Sequence, residues 1–259
     1  MRIRKTIRAG RSKSDRSWIY GLNPVLEAIR SGRHIHTVYL SSSRFEKKYE
    51  IEKEAENRKI PVKTIEPNFF NIHFNKGHQG IAAEVSCKEY VSLDDLLILP
   101  GKNDLPLFLI LDCIEDPRNF GAILRVAEAA RVHGVIIQEY RSVTLGAEVS
   151  KVSAGAVEYV PVSLVVNIKH AMYKIRERGI TIVGTDAHAE KSLWDIDLAL
   201  PLAVVVGSEG KGLRRTVSKA CDSLVSIPMQ GRVNSLNVSV ASGIFLFEIM
   251  RQRMQKIKK

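Results

Sequence analysis

Leu107-Phe108-Leu109-Ile110-Leu111 constrains this 259-residue chain more than any other stretch. Five bulky apolar residues in a row, with no polar residue alternating, suit a parallel strand buried on both faces. Strand-like and helix-like segments then alternate to the end. The pattern predicts a helix over 120–133 closed by Gly134, a strand over 135–138 and a helix near 147–153. A strand at 160–165 leads to a helix over 167–178, capped by Asn167 and stopped by Gly179. Strands at 180–184 and 202–206, a short helix near 212–219, a strand at 223–227 and a last helix from about 237 complete the series. Such alternation predicts a doubly wound α/β sheet over 106–259.

A smaller α/β domain precedes it, over 17–86. Asn23-Pro24 opens a helix that Gly32 closes, with Asn23 as the expected cap. Strand 35–40, a charged helix over 44–59, strand 60–65, a short helix over 67–74 and strand 81–85 follow. Residues 87–105 form a connector with one amphipathic helix at 92–99. No apolar run approaches the roughly 20 residues of a membrane span; the longest, Leu198 to Gly207, is broken by Pro201. Three separated cysteines (Cys87, Cys113, Cys221) give neither a disulfide framework nor a zinc knuckle, and place the chain in a reducing, cytoplasmic setting. No metal-spaced His/Cys cluster exists, so no metal is expected.

Charge narrows the partners. The chain carries +11, and residues 1–16 hold seven basic side chains against the single acid Asp15. This arm is expected to be disordered. Arg251, Arg253, Lys256, Lys258 and Lys259 form a second basic group. Cationic tails attract polyanions such as RNA by releasing counterions; tails that serve only solubility are the alternative.

In open α/β sheets, ligands bind beyond the carboxyl ends of strands. Three loops there carry candidate chemistry. The first, 112–125, enters a helix that Asn119 can cap; Gly121 permits close approach, and Arg125 lies about one and a half turns in, which can return it toward the strand ends. The second, Gly207-Ser208-Glu209-Gly210-Lys211-Gly212, lacks the spacing of a dinucleotide fingerprint or P-loop, and Glu209 disfavours a phosphate. The third, 227–237, feeds a final helix that Ser235 or Asn237 can cap. That helix is apolar all round, as a helix buried in a core or in a homodimer interface is.

Asn119-x-Gly121-x-x-x-Arg125, Gly207-x-Glu209-x-x-Gly212 and Ile227-Pro228-Met229…Ser235-Leu236-Asn237-Val238-Ser239-Val240-Ala241 resemble, in order and spacing, the three signature motifs of the SpoU (TrmH) family of RNA ribose 2′-O-methyltransferases. Ile19-Tyr20-Gly21 and His78-Gln79-Gly80-Ile81 are similar to the L30e-like substrate-binding domain of the branch acting on a guanosine of large-subunit (23S) ribosomal RNA. The resemblance implies a SPOUT-type parallel sheet with a C-terminal trefoil knot. It implies S-adenosyl-L-methionine as cofactor, held by Gly207, Ile227 and Leu236, and a homodimer packed through the motif-bearing helices. It assigns Arg125 to activation of the 2′-hydroxyl, with Asn119, Glu209, Ser235 and Asn237 positioning Arg125 and the substrate. A tRNA ribose methyltransferase and a non-catalytic RNA-binding assembly protein stay open as alternatives.

Overall fold

The computed structural model describes residues 16–43, 47–232 and 235–257; the basic arm up to Asp15 lies outside them. The chain divides into two compact units, Met1–Lys88 and Glu89–Lys259.

The first unit runs β1 (Arg16–Tyr20), α1 (Leu22–Ser31), β2 (Ile35–Ser41), α2 (Lys48–Asn57), β3 (Val62–Ile65), α3 (Pro67–His73) and β4 (Ile81–Ser86). Its sheet has the order β1-β4-β2-β3, with β2 and β3 parallel and β4 antiparallel to both its neighbours. One face buries Ile19, Val38, Leu40, Ile81 and Val85 against Ile29 of α1 and Ile51 of α2. Aromatic rings gather on the other, with Trp18 centred 5.0 Å from Tyr39 and 5.5 Å from Phe74. Arg16 belongs to β1, where it pairs with Glu84 at 2.9 Å. Asn23 does not cap α1. Gly21 holds the cap position at φ 96°, a backbone region open to glycine, and Gln79 Oε1 accepts from Leu22 N at 3.1 Å. The two front motifs therefore meet as one structural joint: Gly21 N also donates to the Ile81 carbonyl. Gly32 closes α1 in the left-handed conformation, as expected.

The second unit runs α4 (Leu93–Leu96), β5 (Leu107–Asp112), α5 (Pro117–Ala129), β6 (Gly134–Gln138), α6 (Ala147–Val152), β7 (Val162–Val165), α7 (Ile168–Glu177), β8 (Thr181–Thr185), β9 (Leu202–Gly207), α8 (Arg215–Ser218), β10 (Ser223–Val225) and α9 (Val238–Ile257). The six strands are all parallel, in the order β10-β8-β9-β5-β6-β7. The apolar run of β5 is explained by two cores. Leu107, Leu109 and Leu111 pack with Phe120 of α5 and Phe245 of α9; Phe108 and Ile110 pack with Leu96, Met172 and Ile175 on the opposite face.

Several expectations shift. From Glu89 the connector belongs to the second unit: Val91 N bonds the Val162 carbonyl, Ser92 caps α4, and Leu96 is fully buried. Gly134 lies in β6 rather than ending a helix, and the turn after α5 is made at Arg131, φ 53°. The C-terminal cations described are engaged in the fold, not presented as a tail. Arg253 donates to the carbonyls of Leu105, Pro106 and Leu200, and burial lowers its pKa. Arg251 grips Glu248, and Lys256 pairs with Asp197 at 2.8 Å. No helix among the described residues is long and apolar enough to cross a membrane.

Candidate functional site

The strand order reverses between β5 and β9, which pair with Asp112 opposite Gly207. Loops beyond the carboxyl ends of parallel strands converge at such a point. Asp112 is fully buried, and its carboxylate accepts from Arg214 N at 2.9 Å and Arg214 Nε at 2.7 Å. Arg214 in turn donates to Gln138 at the end of β6, at 2.6 Å. The Asp112 hydrogen bond raises the pKa of Arg214 further, so the guanidinium stays charged. These contacts tie the ends of β5 and β6 to the loop after β9. Cys113, at φ 61°, turns the chain immediately beyond Asp112.

Gly207 is a glycine because nothing else fits. A Cβ there would lie 2.2 Å from the backbone carbon of Gly212 and 2.4 Å from Leu213 N. The loop then folds back on itself, with Gly212 N donating to the Ser208 carbonyl at 2.9 Å and Gly210 at φ 81°.

Asn119, Glu209 and Asn237, expected from three separate loops, meet in one hydrogen-bonded ring. Asn119 Nδ2 donates to Glu209 Oε2 at 3.2 Å. Asn237 Nδ2 donates to Asn119 Oδ1 at 2.9 Å and to Glu209 Oε2 at 3.4 Å. Asn237 Oδ1 faces the other way and accepts from Ser239 N at 2.9 Å, capping α9. Asn119 is not a cap. Asp116 performs that task for α5, accepting from Arg118 N ahead of Pro117, and this leaves the Asn119 amide free for the ring.

Two cavities flank the ring. The first, about 510 Å³, is lined by backbone around Gly207, Gly210 and Gly212 and by apolar side chains such as Val225, Ile227 and Phe245. Ser235 and Leu236 also line it, as does Glu209. The second, about 390 Å³, is lined by Cys113, Asn119, Glu209, Arg141 and Arg214 among others. Ser208, Glu209, Lys211 and Gly212 border both. Both volumes fall within the roughly 300–1,000 Å³ of small-molecule sites.

Arg125 stands apart from this assembly. It is exposed on α5 and lines neither cavity of its own chain. The reason is helical geometry: six residues beyond Asn119 is about 240° around the axis, a different face of α5. The second cavity and the Asp112–Arg214 pair had no signal in sequence beyond a polar loop after a buried strand. Among the described residues no group of three or more His, Cys, Asp and Glu is placed to hold a metal.

Residues 106–247 match the SpoU rRNA methylase family, and residues 18–91 match the RNA 2′-O ribose methyltransferase substrate-binding domain. The chain is 39% identical over 238 residues to the putative TrmH family tRNA/rRNA methyltransferase YacO of Bacillus subtilis, covering 91% of this chain and 96% of that one. It is 52% identical over 176 residues to the 23S rRNA (guanosine-2′-O-)-methyltransferase RlmB of Shewanella oneidensis, covering 68% and 72% of the two chains. Among solved structures, the SpoU methyltransferase AviRb of Streptomyces viridochromogenes, in complex with the cofactor AdoMet, superposes with a TM-score of 0.78 at 25% identity, covering 93% of this chain and 92% of that one. With the parallel sheet, the converged loops and the leading substrate-binding domain, these matches establish that the chain belongs to the SpoU rRNA methylase family of RNA 2′-O-ribose methyltransferases.

Proposed function

We propose that this protein transfers a methyl group from S-adenosylmethionine to a ribose 2′-hydroxyl of RNA, at a guanosine of large-subunit ribosomal RNA. One observation carries the assignment. The Asn119–Glu209–Asn237 ring stands where a cofactor-sized cavity and a second cavity share a wall. The first cavity suits the donor. Its glycine-built backbone wall at Gly207 offers amides and carbonyls, Ile227 and Leu236 offer apolar contact, and Glu209 offers an anion on its rim.

When bound, the donor supplies an electrophilic methyl group that passes in line to an oxygen. The chain supplies alignment and electrostatics. Asn119 and Asn237 hold Glu209 Oε2, and the carboxylate presents its other oxygen to the incoming hydroxyl. Ser235 lines the donor cavity and orients its contents. Arg125 stabilises the developing alkoxide with its guanidinium. Because it lines neither cavity of its own chain, it serves the site of the second copy in the proposed homodimer.

The protein works as a homodimer in this proposal. Val240, Phe247 and Met254, seven residues apart on α9, are about half exposed and present one apolar stripe outward. A second copy of the same helix covers it in a symmetric pair. A trefoil knot and an L30e-like first unit belong to the same proposal. The setting is cytoplasmic, consistent with three free cysteines.

Ribose-methylation mapping of total RNA from cells with and without the gene tests the substrate. One large-subunit guanosine loses its methyl group if the assignment holds; loss in tRNA moves the substrate to that class. Calorimetry with S-adenosylmethionine tests the enzyme itself, and absence of binding overturns it. Arg125→Ala abolishes transfer while the donor's affinity stays within a few-fold.

A further inference from the structure

The loop after β6 carries a feature that none of the three signature motifs includes. Tyr140 is 70% exposed, a large aromatic left in solvent, and the Arg141 guanidinium lies over its ring, 5.4 Å from the centroid. Arg141 sits at φ 59°, so the backbone turns there and sends the side chain into the wall of the second cavity. Of the cations lining that cavity, Arg214 is committed to Asp112 and Gln138. Arg141 and Lys211 have no carboxylate partner among the described residues, and Lys211 borders both cavities.

Uncommitted cations beside an exposed aromatic, at a cavity adjoining the donor's, form a recognisable combination. Single-stranded RNA is held by phosphate contacts to Arg and Lys and by unstacked bases lying on aromatic and guanidinium planes. An anionic small molecule needs the cations but not the ring. An apolar ligand needs the ring but is disfavoured by two unpaired charges. A nucleotide uses both.

We propose that the second cavity receives the nucleotide to be methylated: Arg141 and Lys211 hold a backbone phosphate, and Tyr140, backed by Arg141, stacks a base that has left its helix. Entered this way, the ribose comes to lie against the wall that carries Asn119 and Glu209, facing the first cavity. Tyr140 and Arg141 are thus substrate-positioning residues. The inference rests on the methyl-transfer assignment above.

The test uses the full-length protein, unmodified 23S ribosomal RNA transcribed in vitro, and four variants: Tyr140→Ala, Tyr140→Phe, Arg141→Ala and Arg141→Lys. Both side chains are on the surface, and circular dichroism checks that each variant keeps the fold. Tyr140→Ala raises KM for the transcript about ten-fold or more, and Tyr140→Phe restores it, because stacking needs the ring and not the hydroxyl. Arg141→Ala weakens RNA binding and lowers the slope of log affinity against log salt by about 1. Arg141→Lys keeps that slope but loses the planar backing of Tyr140, so its KM remains above that of the wild type. The calorimetric affinity for S-adenosylmethionine is unchanged in all four.

Wild-type KM and salt slope in both alanine variants overturn the inference and leave the enzyme assignment standing. So does an equal loss of donor affinity, which makes the loop part of the donor site. A wild-type protein that neither binds the donor nor methylates any RNA overturns the assignment itself.

Discussion

Two glycines show how differently one methyl group acts in this fold. At Gly207 a Cβ meets main chain, 2.2 Å from Gly212 and 2.4 Å from Leu213, and main chain at the heart of a loop cannot step aside. Gly207→Ala is expected to lose about 4 kcal/mol or more and to leave little folded protein in urea titrations followed by circular dichroism. At Gly134 the obstacle is a side chain, that of buried Leu96, with Cδ1 2.3 Å and Cγ 2.7 Å away, so the leucine and its surroundings must repack. Gly134→Ala is expected to cost only about 1–3 kcal/mol in the same titration. The cysteines divide by environment. Burial pushes the Cys221 thiol up to about 12, and burial together with Asp112 raises that of Cys113. Cys87 is exposed. The thiolate is the reactive form, so a raised pKa means less of it at any working pH. With a disulfide reagent at pH 8, Cys87 should react first, Cys113 slowly, and Cys221 only after denaturant is added. Fast labelling of all three would contradict this packing.

At the scale of elements, the Asp112–Arg214 pair decides whether the loop after β9 is held to the sheet. Arg214→Ala strands a carboxylate whose side chain is 1% exposed. The expected loss is about 3 kcal/mol, read from urea midpoints. On α9, Phe247→Glu places a charge in the middle of the outward apolar stripe. Sedimentation velocity should show the wild type as a dimer and the variant as a monomer with unchanged circular dichroism; a monomeric wild type would remove the proposed pairing. Much of this level was legible in sequence, because it depends on local chemistry. The apolar run at 107–111 could only be a doubly buried strand, and Asn167 caps α7 as its side chain suggests, accepting from Lys169 N at 2.9 Å. What was not legible depended on distant partners. β1 exists by pairing with β4, more than 60 residues away. Asn119 looked like a cap until Asp116 took that role, and its partner Glu209 is 90 residues on. Arg125 took its role from the resemblance and its expected direction from its place on the helix; the helical phase sets it on a face of α5 that lines neither cavity of its own chain.

Across the whole molecule, positive charge is unevenly placed. Residues 1–16 hold seven basic side chains and one acid, and the C-terminal cations described are spent on carbonyls and carboxylates. Long-range attraction to RNA is therefore expected to come mainly from the arm. Deleting residues 1–15 should weaken binding of ribosomal RNA and flatten its salt dependence, as filter binding over a salt series would show. The methylated position should not move; a new position would assign recognition to the arm as well as attraction.

The Asn237 amide is shared between two jobs at its two ends: its oxygen fastens the first turn of α9, and its nitrogen steadies Glu209. In the proposed dimer, that one group links quaternary state to chemistry. If subunits are pulled apart by dilution and the first turn of α9 loosens, turnover per subunit should decline before any unfolding is detectable, and specific activity would report protomer concentration.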